Sequence, residues 1–272
     1  MRLLRWIIII LFVVTTILFT GFYVKEKMTT DNTIPVITVD KEVIEVSFNA
    51  TDEELLQGVT AFDEKDKDLT DKVIVESVSK FLEDGVCKVV YAVCDSDNNV
   101  SNATRKIRYK NYESPKFSVH ESLCYSIYDK IDISKAIKAK DCIDGDISRS
   151  IIVTSEDFAG SVVGVFNIDI SVTNSKGDTS HLKLPLVVED RSLVAPVIEL
   201  SEYLIYAEKG AEFDWKSFLV GIESNIQDDI PLDSVRIETN ANMAEEGIYS
   251  VHYYVTDSKG AQGHSILNVI VG

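Results

Sequence analysis

Chemistry-bearing residues are sparse in this sequence. It has four histidines, His120, His181, His252 and His264, and no two stand at the spacing of an HExxH metal motif. No Gly-x-Ser-x-Gly elbow occurs, and no glycine-rich phosphate loop leads into a helix. With no such residue set to name, the chain reads as non-catalytic. Cysteine is also scarce, at four. The first is Cys87, so no lipidated cysteine lies near the N-terminus. Basic residues are outnumbered, 27 Lys and Arg against 44 Asp and Glu, for a net charge of −17. An acidic surface of this kind argues against nucleic acid or anionic lipid as a partner.

Charge is missing altogether from Trp6 to Val24, where an almost purely aliphatic run opens with Trp6-Ile7-Ile8-Ile9-Ile10-Leu11. At about 1.5 Å rise per residue such a helix spans a bilayer core of roughly 30 Å. Arg2 and Arg5 precede the run, whereas Lys25, Glu26 and Lys27 follow it. The positive-inside tendency then puts residues 1–5 in the cytoplasm, 6–24 across the lipid bilayer and a linker, 25–33, outside. A cleaved signal peptide has a shorter apolar core and a small-x-small site. Thr20-Gly21-Phe22-Tyr23 offers no convincing site, so the expectation is an uncleaved single-pass anchor in the cell membrane. No sorting motif follows the last strand, which leaves the helix as the expected attachment.

The remainder repeats itself. Ile34-Pro35-Val36-Ile37, Ser114-Pro115-Lys116-Phe117 and Ala195-Pro196-Val197-Ile198 open three segments alike. Strand patterns beginning at Gly85, Gly164 and Gly247, spaced by 79 and 83 residues, close them alike. Within these patterns Cys87, Val89, Tyr91 and Val93 alternate with polar residues. So do Phe166, Ile168, Ile170 and Val172, and then Tyr249, Val251, Tyr253 and Val255. Period two describes a half-buried strand. Asn98, Gly177 and Gly260 then share one turn position that calls for a positive φ. Short strands and regular turn signals predict an all-β chain of three tandem Ig-like β-sandwich domains after one transmembrane helix: repeats 34–111, 112–190 and 191–272. The short linkers favour an end-to-end, semi-rigid rod.

The stretch from Gly58 to Thr70, Gly-Val-Thr-Ala-x-Asp-x-x-Asp-x-Asp-Leu-Thr, followed by Gly-x-Cys-x-Val-x-Tyr-x-Val-x-Asp-Ser, resembles the bacterial Ig-like repeats of Gram-positive surface proteins. These are relatives of hyalin and cadherin-like repeats. The second repeat keeps Ala139-Lys140-Asp141-Cys142-Ile143-Asp144-Gly145-Asp146, whereas the third retains only Asp228-Asp229-Ile230. The resemblance implies an extracellular spacer or an adhesion module for an extracellular protein or glycan. The alternative it leaves is an accessory subunit of an envelope secretion or polysaccharide assembly system.

The acidic loops are the one constellation with a chemistry. Asp63, Glu64, Asp66, Asp68 and Asp71 crowd one loop, and Asp141, Asp144 and Asp146 match three of them. Hard cations take six to eight oxygen ligands, and alternate carboxylates in a loop can converge on one. The loop belongs at the same end of the sandwich as the later turn carrying Asp95, Asn174 or Asp257. Asp63, Asp66, Asp68, Asp95, Asp141, Asp144 and Asp146 are therefore calcium candidates. The competing reading is Asp side chains that cap local backbone N–H groups.

Alternation places Cys87 inward as a core thiol and Cys94 outward. The two stand too far apart along one strand to bridge. Cys124 and Cys142 share a repeat without being required to pair. His181 and His264 occupy equivalent positions and read as exposed strand-edge residues. Phe213, Trp215 and Phe218 read as a short helical turn plugging a core.

Overall fold

A computed structural model describes residues 2–29, 33–154, 162–225 and 230–272. Helix α1 (Arg2–Thr29) opens the chain. From Leu4 to Lys27 it is long and apolar enough to cross a membrane, and none of that stretch is buried against protein. Thr15, Thr16 and Thr20 return their hydroxyls to carbonyls one turn back. In an apolar surrounding this satisfies their polar groups within the helix.

Two compact units are present, Met1–Asn111 and Tyr112–Gly272. In the first, strands β1 (Val36–Val39), β3 (Val59–Asp63) and β4 (Lys67–Asp68) form one sheet. Strands β2 (Val43–Val46), β7 (Val100–Tyr109), β6 (Val86–Cys94) and β5 (Ile74–Val78) form the other in that order. Leu69, Val73, Cys87, Val89, Tyr91, Val93 and Ile107 fill the space between them. Between β2 and β3 lies a single-turn helix, α2 (Asp52–Leu55), capped by the Thr51 hydroxyl.

The second unit repeats this plan twice. Strands β8 (Lys116–Val119), β10 (Ile137–Asp141) and β11 (Gly145–Asp146) face β9 (Cys124–Ser126), β12 (Ile152–Thr154), β13 (Gly164–Thr173) and β14 (Thr179–Glu189). Then β15 (Val197–Leu200) and β17 (Leu219–Glu223) face β16 (Leu204–Ala207), β18 (Arg236–Thr239), β19 (Gly247–Thr256) and β20 (Gln262–Val271). In all three sandwiches the second strand pairs parallel with the last, as β2–β7, β9–β14 and β16–β20. The turn prediction holds: φ is +65° at Asn98, +86° at Gly177 and +85° at Gly260. Trp215 and Phe218 sit in a short 3-10 turn, Phe213 lies just before it, and Trp215 stacks on both rings as they pack against the third core, much as read from the sequence.

Within the second unit the rod expectation fails. Strand β20 is buried on both faces. Leu267, Val269 and Val271 point into their own sandwich, whereas Ile266 packs with Cys124 and Val187, and Ile270 packs against the core of the second sandwich. Tyr206, beside Ile270 at the trailing end of repeat three, hydrogen-bonds through its hydroxyl to the amide (3.1 Å) and carbonyl (3.2 Å) of Phe117. Phe117 stands at the leading end of repeat two. The third sandwich therefore doubles back along the flank of the second. This packing corrects a second expectation. His181 is exposed, but His264 at the equivalent position is only 5% exposed, because the neighbouring repeat covers it.

Cys87 is buried in the first core and Cys94 is exposed, as alternation requires. None of the four cysteines is in a disulfide. Cys124 is buried near His264, whereas the Cys142 thiol donates to the Glu113 carbonyl, so the two share no neighbourhood.

Candidate cation sites in the acidic loops

Asp63 ends β3 and is 2% exposed. One of its oxygens accepts from the backbone N–H of Lys65 (2.8 Å) and Asp66 (2.9 Å), which turns the chain into β4. The other accepts from the Thr33 hydroxyl at 3.3 Å, where the chain enters the repeat. Asp95 builds the matching turn after β6. Its Oδ1 accepts from the amides of Asp97 (2.9 Å) and Asn99 (2.7 Å), and its Oδ2 from the Asn99 side chain (2.7 Å). Asp66 bridges the two turns by accepting from the Ser96 amide at 2.8 Å. Hydrogen bonds from the Ser96 backbone and side chain hold the Asp66 carboxyl below its usual range.

These three carboxylates converge, with one oxygen from each lying within 4.8 Å of the others. Asp68 does not join them. It accepts from the Thr70 amide two residues on, and hydrogen bonds from the Thr70 hydroxyl and amide lower its pKa, so it is spent on the local turn that leads into Thr70–Lys72.

Repeat two copies the framework with one change. Asp141 accepts from the amides of Ile143 (2.8 Å) and Asp144 (2.9 Å), and Asp144 accepts from the amide (2.6 Å) and hydroxyl (2.7 Å) of Ser175. Asn174 stands where repeat one has Asp95. Its amide donates to Asp141 (3.1 Å) and to the Tyr112 hydroxyl (2.9 Å), and Tyr112 donates onward to Asp178. Burial, and then the Asp178 carboxylate, push the Tyr112 phenol up. An amide has thus replaced the third carboxylate, and its N–H groups supply what a cation would. Asp146 plays the part of Asp68, capping through Ser148. In repeat three Asp257 again accepts from the amides of Lys259 and Ala261. Asp228 and Asp229 lie outside the described residues.

Both readings of the acids therefore apply: Asp63, Asp68, Asp95, Asp141 and Asp146 accept from local backbone, Asp66 and Asp144 reach across to the opposite turn, and in repeat one three carboxylates also meet. The sequence placed the loop and the Asp95 turn at one end of the sandwich but could not separate these roles, because capping and ion binding use the same oxygens.

No family model matches the chain. It is 30% identical over 137 residues, 49% of its length, to an uncharacterized 81.3 kDa protein of Acholeplasma phage L2. It is 27% identical over 139 residues, 50% of its length, to the pesticidal crystal protein Cry22Aa of Bacillus thuringiensis. The matched part makes up 18% of each of these relatives. Among solved structures, it is similar to CBM51-2 in complex with GlcNAc and INT domains from Clostridium perfringens ZmpB, with a TM-score of 0.23, 21% identity, and coverage of 54% of this chain and 26% of that one. Human CDH23 EC21-23 also matches, with a TM-score of 0.23, 12% identity, and coverage of 88% and 100%. Superpositions this loose carry no argument about ligand. The β-sandwich assignment rests on the strand order itself.

Proposed function

We propose that the chain is a membrane-anchored surface protein in which three Ig-like repeats, 34–111, 112–190 and 191–272, act without catalysis as a spacer or adhesion module for an extracellular protein or glycan. The observation that carries this reading is the unburied apolar helix Leu4–Lys27 leading into tandem sandwiches. A helix apolar all round finds its partner in lipid. Arg2 and Arg5 on its N-terminal side favour repeats facing outward. Cys94, an exposed thiol in repeat one, reports the topology. A membrane-impermeant maleimide is expected to label it in intact cells expressing the full chain, with the product remaining in the membrane fraction at full size. Labelling only after permeabilisation would reverse the orientation, and a shortened, released product would replace the anchor with a cleaved leader.

We further propose that Asp63, Asp66 and Asp95 take one Ca2+ ion, and that repeat two, with Asn174 in its turn, binds it more weakly through Asp141 and Asp144. Hard oxygen donors suit this ion, and charge count tunes its affinity. Calcium titrated into the full chain in detergent is expected to raise the melting temperature. The Asp95→Asn substitution, which installs the repeat-two amide, is expected to shift that rise to higher calcium concentration while leaving the calcium-free melt within a few degrees. An unchanged calcium response in Asp95→Asn removes the site.

A further inference from the structure

The doubled-back packing of repeat three on repeat two brings together side chains that belong to neither acidic loop. Cys124 opens β9, Glu189 closes β14 and His264 lies in β20. Cys124 Sγ stands 3.1 Å from His264 Nδ1 and 3.7 Å from Glu189 Oε2, and His264 Nδ1 is 2.7 Å from Glu189 Oε1. Cys124 and His264 are both buried, and Glu189 keeps a third of its side chain exposed. The cluster is thus sheltered but reachable.

We infer that Cys124, His264 and Glu189 form a binding site for one borderline-soft divalent cation, Zn2+ or its analogue Co2+, which clamps repeat three onto repeat two. The donor set of thiolate, imidazole and carboxylate is the one such ions select. Bond lengths of about 2.0–2.3 Å around a tetrahedral ion put donor atoms roughly 3.3–3.7 Å apart. One donor atom from each residue already lies within 4.8 Å of the other two, and the 3.1 Å Cys124–His264 separation needs to open by about half an ångström. Three protein donors leave a fourth position for water on the Glu189 side.

The surroundings are arranged as a ligating histidine needs. His264 Nε2 lies 3.0 Å from Nδ1 of His252, which fixes the ring. Tyr254 stacks on the same ring with centroids 4.2 Å apart. Without metal, the Glu189 carboxylate accepts from Nδ1–H of His264, and Nε2 faces Nδ1 of His252. With metal, Nδ1 would give its lone pair to the ion, Nε2 would carry the His264 proton and donate to Nδ1 of His252, and the His252 proton would sit on its own Nε2. One histidine pair serves both states. Arg191 donates to the carbonyls of His264 (2.8 Å) and Cys124 (3.2 Å), holding the two ligand backbones from different repeats side by side. Burial, and then the Glu189 charge, raise the Cys124 thiol pKa, and binding as thiolate displaces that proton.

Cobalt titrated into the reduced full chain in detergent tests the site. The expected result is one equivalent bound with a thiolate-to-cobalt charge-transfer band, displaced by Zn2+ and insensitive to Ca2+. Cys124→Ser is expected to abolish the band, and Cys94→Ser and Cys142→Ser to retain it. Glu189→Gln, which keeps the fold contacts, is expected to weaken Co2+ binding at least about tenfold. If Cys124→Ser fails to fold, Glu189→Gln decides the question alone. No charge-transfer band, a band lost with Cys94 or Cys142 instead, or unchanged affinity in Glu189→Gln overturns the site.

Discussion

Arg105→Met is expected to destabilise repeat one by about 3–5 kcal/mol, the cost of withdrawing a buried charge from a network built around it. The Arg105 side chain is fully buried between the sheets. Its Nε donates to the Tyr91 hydroxyl at 3.0 Å, Nη1 to the Gln57 carbonyl at 2.9 Å, and Nη2 to the Leu55 carbonyl. Tyr91 itself donates to the Leu55 carbonyl at 2.7 Å. The guanidinium fork therefore ties the end of α2 and the turn after it to the middle of β7. Asp40, half exposed and 3.4 Å away, adds little. Methionine fills the space but leaves the Gln57 carbonyl unpaired and the Leu55 carbonyl with the Tyr91 hydroxyl alone. Lysine keeps the charge but has no planar fork, so Arg105→Lys is expected to rescue only part of the loss. Chemical denaturation monitored by amide exchange in β6 and β7 reads the effect. A change under about 1 kcal/mol would mean that water already serves these carbonyls.

Gly263→Ala is expected to cost about 3 kcal/mol in the second unit, at the upper end of what overpacking does. A Cβ at Gly263 would collide with the Pro196 carbonyl oxygen and sit 3.2 Å from a Val255 methyl. The first obstacle is backbone, so no rotamer can yield, and the chain leading into β15 must leave β20. The register makes Ser101 and Ser180 the equivalents of Gly263 in the other two repeats. These positions already carry a Cβ, so Ser180→Ala is expected to stay within about 0.5 kcal/mol. Comparing the two melts separates a close backbone approach peculiar to repeat three from a general effect of side-chain size. Equal melts would show that β15 moves without cost.

Much of this fold is legible because each repeat states it again. Period-two alternation assigned Cys87 to the core and Cys94 to the surface, and the shared turn position picked out Asn98, Gly177 and Gly260. What escaped notice was where one repeat departs from the others at a single register position. Arg105 faces Val89 where Leu184 faces Ile168 and Leu267 faces Val251. An arginine in a leucine column was visible in the sequence, but its hydrogen-bond partners, the carbonyls of Leu55 and Gln57, lie about fifty residues upstream. His264 escaped for a different reason. Periodicity within one strand describes two faces of one sandwich and says nothing of a neighbouring sandwich. The signal was the apolar character of the outer face of β20, where Ile266 and Ile270 stand at positions that solvent would fill with polar groups. The acidic loops were legible in composition but not in role, since capping and ion binding use the same oxygens.

The folded-back third repeat also changes how the chain would carry a load. Pulled from its trailing end, β20 would first peel from β9 and β14 at Ile266, Ile270 and the Tyr206–Phe117 contact, while both sandwiches kept their own sheets. That release would lengthen the chain by swinging repeat three outward before any strand unravelled. The second unit would then behave as a latch with a spare length of tether folded into it.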